Sequence, residues 1–331
     1  MISYAVIGTS KITRTFLEAA SKVPELRLLA VYSRSLEKAR SFGEEYGASR
    51  FYDSLEELAK DPDIQGVYIA SPNYCHCEQS IQMMKAGKHV LCEKPVASHQ
   101  KEYEKMLETA RQQGVIFFEA MRSAFTPELA VLEKALPRLG ELRQAFFSFC
   151  QYSSRYDNYK KGIIENAFKP ELSNGSLMDI GVYCVHPMVH LFGVPKNLSA
   201  NAVFLPNGVD GAGSVLAGYG EMQVQLMYSK ICDSHAPSEI LGENGSLLID
   251  KLSQTQRLTL CLKGQEPEEL PIVPCENNME YEAARWAKWM QGLGDPGELF
   301  RAQEDSRMQM QVMDEVRLLT GIRFPADETA E

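Results

Sequence analysis

The chain has 331 residues, 44% of them hydrophobic and 24% charged, with a formal net charge of −10. That length accommodates two domains, each with its own core; the acidic balance, with no basic block or stripe, argues against a nucleic-acid surface, and no apolar run approaches the roughly 20 residues of a membrane span. The chain opens directly in a strand pattern with no charged n-region or apolar h-region, so a cytoplasmic location is expected, with the eight cysteines as free thiols.

Residues 1–120 alternate between two patterns. Short apolar runs at 4–8 (YAVIG), 26–33 (LRLLAVYS), 66–71 (GVYIAS), 89–93 (HVLCE) and 115–120 (VIFFEA) read as strands. Amphipathic segments at 35–47, 77–87 and 100–114 read as helices, closed by Gly47, Gly87 and Gly114 as C-terminal caps. Strands alternating with helices predict a parallel sheet covered on both faces. After about residue 121 the rhythm changes. A helix pattern at 127–136 leads to a strand run at 142–152, a polar loop and a helix over 176–193. Strand runs then follow at 198–205, 213–220, 222–229, 245–250 and 257–262, and two amphipathic helices at 279–292 and 302–321 finish the chain. This half predicts an open, mainly antiparallel sheet carrying helices.

Four stretches carry candidate chemistry. In "GTSKIT" (8–13), Gly8 supplies a tight turn and the following helix offers unpaired backbone N–H groups to an anion. Ser10 and Thr13 stand at the second and third glycines of the dinucleotide fingerprint; Ser10 is small and brings a hydroxyl, and Thr13 asks only for slight spreading of helix from strand. Gly8, Thr9, Ser10, Lys11 and Ile12 are the expected phosphate contacts, with a plain strand–turn–helix as the alternative. The run at 26–33 leads into Ser33 and Arg34, with Lys38 a turn further on. NAD sites usually carry Asp or Glu here, so a hydroxyl and two cations suit a ribose 2′-phosphate, or else a solvated helix start. Ser71, Pro72, Asn73 and His76 leave the run at 66–71, at a strand end where parallel sheets bind ligands, or simply enter a helix. Glu93 and Lys94 close the run at 89–93; Pro95 cannot continue a ladder, and Lys94 is expected to face the crevice of Gly8 unless this is an ordinary strand exit.

Other constellations are weaker. His186 and His190 stand four apart, as zinc ligands can, but no H-E-x-x-H accompanies them, and Cys75-His76-Cys77 lacks a second pair at zinc spacing. No metal is expected, and His186 is placed beside Tyr183 in the substrate pocket. Arg122 either reaches substrate or pairs an acid. Trp286 and Trp289 are expected in a core.

"GTSKIT", "SPNYCH", "AGKHVLCEKP" and "SLMDIGVYCVH" fall in the order and spacing of the Gfo/Idh/MocA oxidoreductases, and the resemblance spans essentially the whole chain. It implies an α/β fold: an N-terminal Rossmann domain over 1–121 with a doubly wound parallel sheet, and a C-terminal α+β domain over 122–331 that binds substrate and forms homo-oligomers through its open sheet. It implies that Lys94 lies beside nicotinamide and substrate, and that the peptide before Pro95 is cis. The family's second signature, an Asp followed four residues later by His, reads Asp179 and Tyr183 here. That departs from the inositol-dehydrogenase type and is similar to the branch of glucose-fructose oxidoreductase and dimeric dihydrodiol dehydrogenase, in which a tyrosine is the acid/base.

The expected activity is therefore hydride transfer between NADP (NAD also open) and a secondary alcohol or carbonyl of a sugar, polyol or cyclic diol. Lys94, Tyr183 and Asp179 are the expected catalytic set. A free phenol titrates near 10, so a tyrosine base needs a nearby ammonium, which Lys94 is expected to supply. Two alternatives stay open at this level: a cofactor-sensing regulator of the same fold without turnover, and a different Rossmann enzyme, against which the E-K-P and D-I-G-V-Y stretches argue.

Overall fold

The first strand, β1 (Ile2–Ile7), is buried everywhere except half-buried Ser3, as a central parallel strand covered on both faces must be. It runs into α1 (Lys11–Ala20). The alternation continues through β2 (Leu26–Tyr32), α2 (Leu36–Glu45), β3 (Arg50–Tyr52), α3 (Leu55–Lys60), β4 (Gly66–Ile69), α4 (His76–Lys85), β5 (His89–Glu93), α5 (Gln100–Gln113) and β6 (Phe117–Ala120). The computed structural model describes residues 1–273 and 275–328. The six strands pair in parallel in the order β3-β2-β1-β4-β5-β6. The order reverses between β1 and β4, where a doubly wound sheet opens a crevice beyond its carboxyl edge. Ser35 and Ser54 cap α2 and α3 by accepting the N–H of Lys38 and Glu57, and Gly114 closes α5 at φ 63°.

The second part contains α6 (Pro127–Ala135), β7 (Leu142–Cys150), the short α7 (Tyr156–Lys160), α8 (Val182–Phe192), β8 (Asn197–Phe204), β9 (Asp210–Gly218), β10 (Gln223–Ser229), β11 (Ser238–Gly242), β12 (Gly245–Ile249), β13 (Leu258–Leu262) and β14 (Glu268–Glu269). Its eight strands run in the order β14-β13-β12-β11-β7-β10-β9-β8. Only β7 and β10 pair in parallel; every other neighbour is antiparallel. One face is core: Ala145, Phe147, Val224, Leu226, Ile240, Leu247 and Leu260 are buried. The alternate positions, Gln144, Gln225, Leu216, Asn201 and Val203, are exposed, the period-two signature of a half-covered sheet. The helix expected over 176–193 is in two pieces, a π-helical turn at Leu177–Gly181 followed by α8. Such wide turns often mark functional positions.

Two helices complete the chain, α9 (Met279–Met290) and α10 (Pro296–Thr320). The latter starts six residues before the expected 302 because Pro296 takes its first position, where no N–H is needed. The compact units are residues 1–122 with 277–304, and 123–276 with 305 onward. The expectation of 122–331 as one continuous domain is corrected by this return. Its cause is aromatic packing: fully buried Trp286 meets Tyr4 at 5.8 Å and Phe16 at 6.4 Å, and Trp289 meets Phe118 edge-on at 4.8 Å. Both tryptophans are core residues, of the first unit. No described helix is long and apolar enough to cross a membrane.

Candidate active site

The crevice of the first unit is built around Gly8. Its φ is +110°, and a Cβ there would come within 2.5 Å of the Ala70 carbonyl oxygen at the end of β4. A side chain is excluded both by conformation and by the neighbouring strand. Ser10 then takes the N-cap position of α1, whose first turn carries no acidic residue. The missing third glycine is explained by Thr13, which is fully buried with its hydroxyl 3.4 Å from that of Ser10. Ser10 and Lys11 are exposed, and Thr9 and Ile12 half-buried, so this end presents bare N–H groups and positive dipole to an anion.

At the end of β2, Ser33 is half-buried and donates its backbone N–H to Tyr52. Arg34 and Lys38 are exposed. Burial pushes the Tyr32 hydroxyl and Cys75 thiol up, and the hydrogen bond with Cys75 raises Tyr74, with the Arg34 charge acting the other way on all three.

The third and fourth stretches are joined by His76. It is buried, with Nδ1 3.0 Å from the Pro95 carbonyl and Nε2 2.9 Å from the Ser71 carbonyl. Burial lowers its pKa to about 4 against the pull of the two carbonyls, so the ring is neutral near pH 7 and only one nitrogen donates. His76 thus donates to one of the two loop carbonyls and lies against the other. Ser71 Oγ donates to Gln79 at 2.7 Å, and Asn73 is buried at the start of a 3₁₀ turn. The Lys94–Pro95 peptide is cis, as the resemblance implies. Lys94 is half-buried within the otherwise buried run 90–99.

Glu93 is buried beneath Lys94. Tyr68 donates to its Oε1 at 2.5 Å and the Lys94 backbone N–H to its Oε2 at 3.2 Å. Burial raises its pKa. Glu282 on α9, fully buried with neither carboxyl oxygen hydrogen-bonded, is pushed well above the usual carboxylate range, by burial first and then by the charge of Glu93. Arg122 donates to Asn278 at 2.5 Å, and its charge acts on both acids.

In the second unit Asp179 lies on the π turn and Tyr183 at the second position of α8. Tyr183 is buried, with the Phe149 ring edge-on at 5.5 Å. The turn is anchored by Asp210, which accepts the Leu177 N–H at 2.7 Å and whose pKa burial raises to about 6. Gly175 must be glycine, because a Cβ would lie 1.8 Å from Asp210 Oδ1. Asp179 Oδ2 pairs with Lys230 Nζ at 2.8 Å. His186 is buried three residues beyond Tyr183, its Nδ1 3.0 Å from Gln309. His190 lies between Asp305 at 2.6 Å and Glu133 at 3.2 Å. Among the described residues no group of three or more His, Cys, Asp or Glu could hold a metal ion.

Gly8, the Ser71–His76 turn and the Glu93–Pro95 bend therefore share one carboxyl edge. Lys230, Asp210 and Glu282 were not singled out from sequence. A lone lysine after an apolar strand run is a weak signal that only burial makes specific.

Strand order, a bare glycine at the switch point and an acid-free helix N-terminus beside it define the first unit as a dinucleotide-binding Rossmann domain. Comparison with known families agrees. The model for "Oxidoreductase family, NAD-binding Rossmann fold" matches residues 2–121, and that for the GFO/IDH/MocA C-terminal domain matches residues 137–248. The chain belongs to the Gfo/Idh/MocA oxidoreductase family. It is 44% identical over 330 residues to the scyllo-inositol 2-dehydrogenase (NADP(+)) IolU of Bacillus subtilis, covering 99% of this chain and 100% of that protein. It is 29% identical to the trans-1,2-dihydrobenzene-1,2-diol dehydrogenase of Xenopus tropicalis, covering 97% and 99%. Among solved structures, the 3-ketoreductase KijD10 of Actinomadura kijaniata with NADP and TDP-benzene shares the fold, with a TM-score of 0.86 at 23% identity over 98% of each chain.

Proposed function

We infer that this chain is an NADP-dependent oxidoreductase that interconverts a secondary alcohol and its carbonyl in a polyol, sugar or cyclic diol. The carrying observation is its end-to-end match to a relative named for NADP-dependent oxidation of scyllo-inositol. The regulator alternative is set aside because Lys94, Asp179 and Tyr183 are all present and the relatives are named dehydrogenases.

The crevice fits the cofactor on its own chemistry. A Cβ at Gly8 would obstruct the switch point, and the first turn of α1 offers N–H groups without a competing acid. In this reading Gly8, Thr9, Ser10, Lys11 and Ile12 receive the pyrophosphate, and Ser33, Arg34 and Lys38 the 2′-phosphate. Ser71, Pro72, Asn73, His76 and Glu93 shape the floor. When bound, nicotinamide supplies the hydride chemistry. Tyr183 takes the hydroxyl proton on oxidation and returns it on reduction. Lys94 assists by placing an ammonium at the reacting oxygen, and Asp179 orients the substrate. His186, closed in with Gln309, serves packing in this reading, and Arg122 holds acids rather than substrate.

A second copy of the chain is the proposed partner of the open sheet face, where Leu216 and Val203 are exposed among uncharged neighbours. The eight cysteines are free thiols, which suits the cytoplasm.

The test is a panel of inositols, aldoses and cyclic diols with NADP+, and of the matching ketones with NADPH, followed at 340 nm. Turnover of at least one polyol pair is expected. Cofactor binding with no turnover across the panel would return the protein to the regulator class.

A further inference from the structure

Lys230 is a buried cation with a defined set of partners. It follows β10, and its backbone is held on both sides: its N–H donates to Gly211 at 2.8 Å, and its carbonyl accepts the Ser153 N–H at 2.9 Å. The side chain is only 2% exposed. Its ammonium lies 2.8 Å from Asp179 Oδ2, donates to the Ala167 carbonyl at 2.7 Å, and sits 4.9 Å from the centre of the Phe168 ring. Buried ammoniums are retained where they are paired and hydrogen-bonded, and all three contacts serve one arrangement. They tie the π turn bearing Asp179 to the 3₁₀ turn Asn166–Phe168. The Asp179 side chain is 36% exposed while Lys230 is sealed behind it. The carboxylate is therefore backed by a fixed cation and only partly covered.

We propose that Lys230 is a positioning residue for substrate: it fixes the Asp179 carboxylate as the acceptor for a hydroxyl next to the reacting one, so that the site selects vicinal diols. This rests on the polyol reading above. A carboxylate accepts from hydroxyls and donates to none. Its partner on the substrate is thus an O–H, and a neighbour anchored in this way turns the reacting carbon the same way at each binding event.

The test replaces Lys230 by Met, which keeps the apolar stem and removes the charge. With scyllo-inositol, or the panel's best vicinal polyol, KM is expected to rise at least tenfold, while NADPH affinity by fluorescence stays within twofold. Adding Asp179→Asn is expected to cost nothing beyond Asp179→Asn alone, because the lysine acts through that carboxylate. A purely structural lysine would lower the melting temperature and leave the KM of the folded protein unchanged. Unchanged KM, or losses that multiply in the double variant, would overturn the proposal. If the single variant does not fold, the charge-balanced double variant is compared with Asp179→Asn; equal KM supports the proposal and a further tenfold rise overturns it. A wild type that turns over polyols beside an unaffected Lys230→Met removes this proposal alone. A wild type that neither oxidises the panel nor binds scyllo-inositol in calorimetry with NADPH present removes the functional reading and this one together.

Discussion

The His76 ring nitrogen Nδ1 stands 3.0 Å from the Pro95 carbonyl, and the opposite ring nitrogen 2.9 Å from the Ser71 carbonyl. One buried side chain thus spans the two loops that follow β4 and β5. Replacing it by Ala removes the one hydrogen bond the neutral ring donates, worth about 1 kcal/mol, and the ring that packs between the two carbonyls. The expected result for His76→Ala is a lower melting temperature and an NADPH dissociation constant raised about tenfold, because the loops lose their mutual register. Unaltered NADPH affinity in a folded variant would mean that the crevice keeps its shape without this bridge.

The strands of the first unit were legible because parallel strands covered on both faces are continuous apolar runs. β3 was not, since its three residues include Arg50, and β11 begins on Ser238 and Glu239. The return of α9 to the first unit could not be read either: an amphipathic helix looks the same whichever core accepts Trp286. The site divides in the same way. Gly8 and Lys94–Pro95 are visible because backbone demands restrict which residue fits. Lys230 and Asp210 resemble surface charges until the fold buries them.

His186 makes the acid response of the second unit testable. Burial holds its pKa near 4 against an ordinary 6.5, with Asp305, His190 and Gln309 facing it. Between those values the unfolded chain binds a proton that the folded chain refuses, so falling pH favours unfolding. The contribution lost is about 2 kcal/mol at pH 5. Asp210, raised to about 6, acts with the opposite sign but is common to wild type and variant. From pH 7 to 5 the melting temperature of His186→Asn should therefore fall less than that of wild type. Parallel curves in scanning calorimetry would show that His186 takes up its proton equally in both states.

Cofactor choice should depend on Arg34. No acidic residue stands at 33 or 34, and Arg34 and Lys38 are exposed there. Losing one charge-assisted phosphate contact costs about 1.5–3 kcal/mol. Arg34→Ala should weaken NADPH binding about 10- to 150-fold and leave NADH binding within threefold. Equal losses for both cofactors would assign Arg34 to stacking on adenine, which both share.

The chemistry itself is tested at Lys94 and Tyr183. Lys94→Ala and Tyr183→Phe should each lower kcat by about 10²–10⁴, the range for a lost acid–base group. Cofactor affinity should change far less, since neither side chain is assigned to phosphate. The phenylalanine keeps the ring that meets Phe149 at 5.5 Å, so lost packing cannot account for a large effect. If the two residues act as one unit, the double variant will be little worse than the poorer single; multiplying losses would assign them to separate steps. Were Tyr183 only a helix residue, removing its hydroxyl would cost about 1 kcal/mol of stability and leave turnover intact. Near-wild-type kcat in folded Tyr183→Phe, on the best substrate of the panel, would therefore transfer the proton to another group.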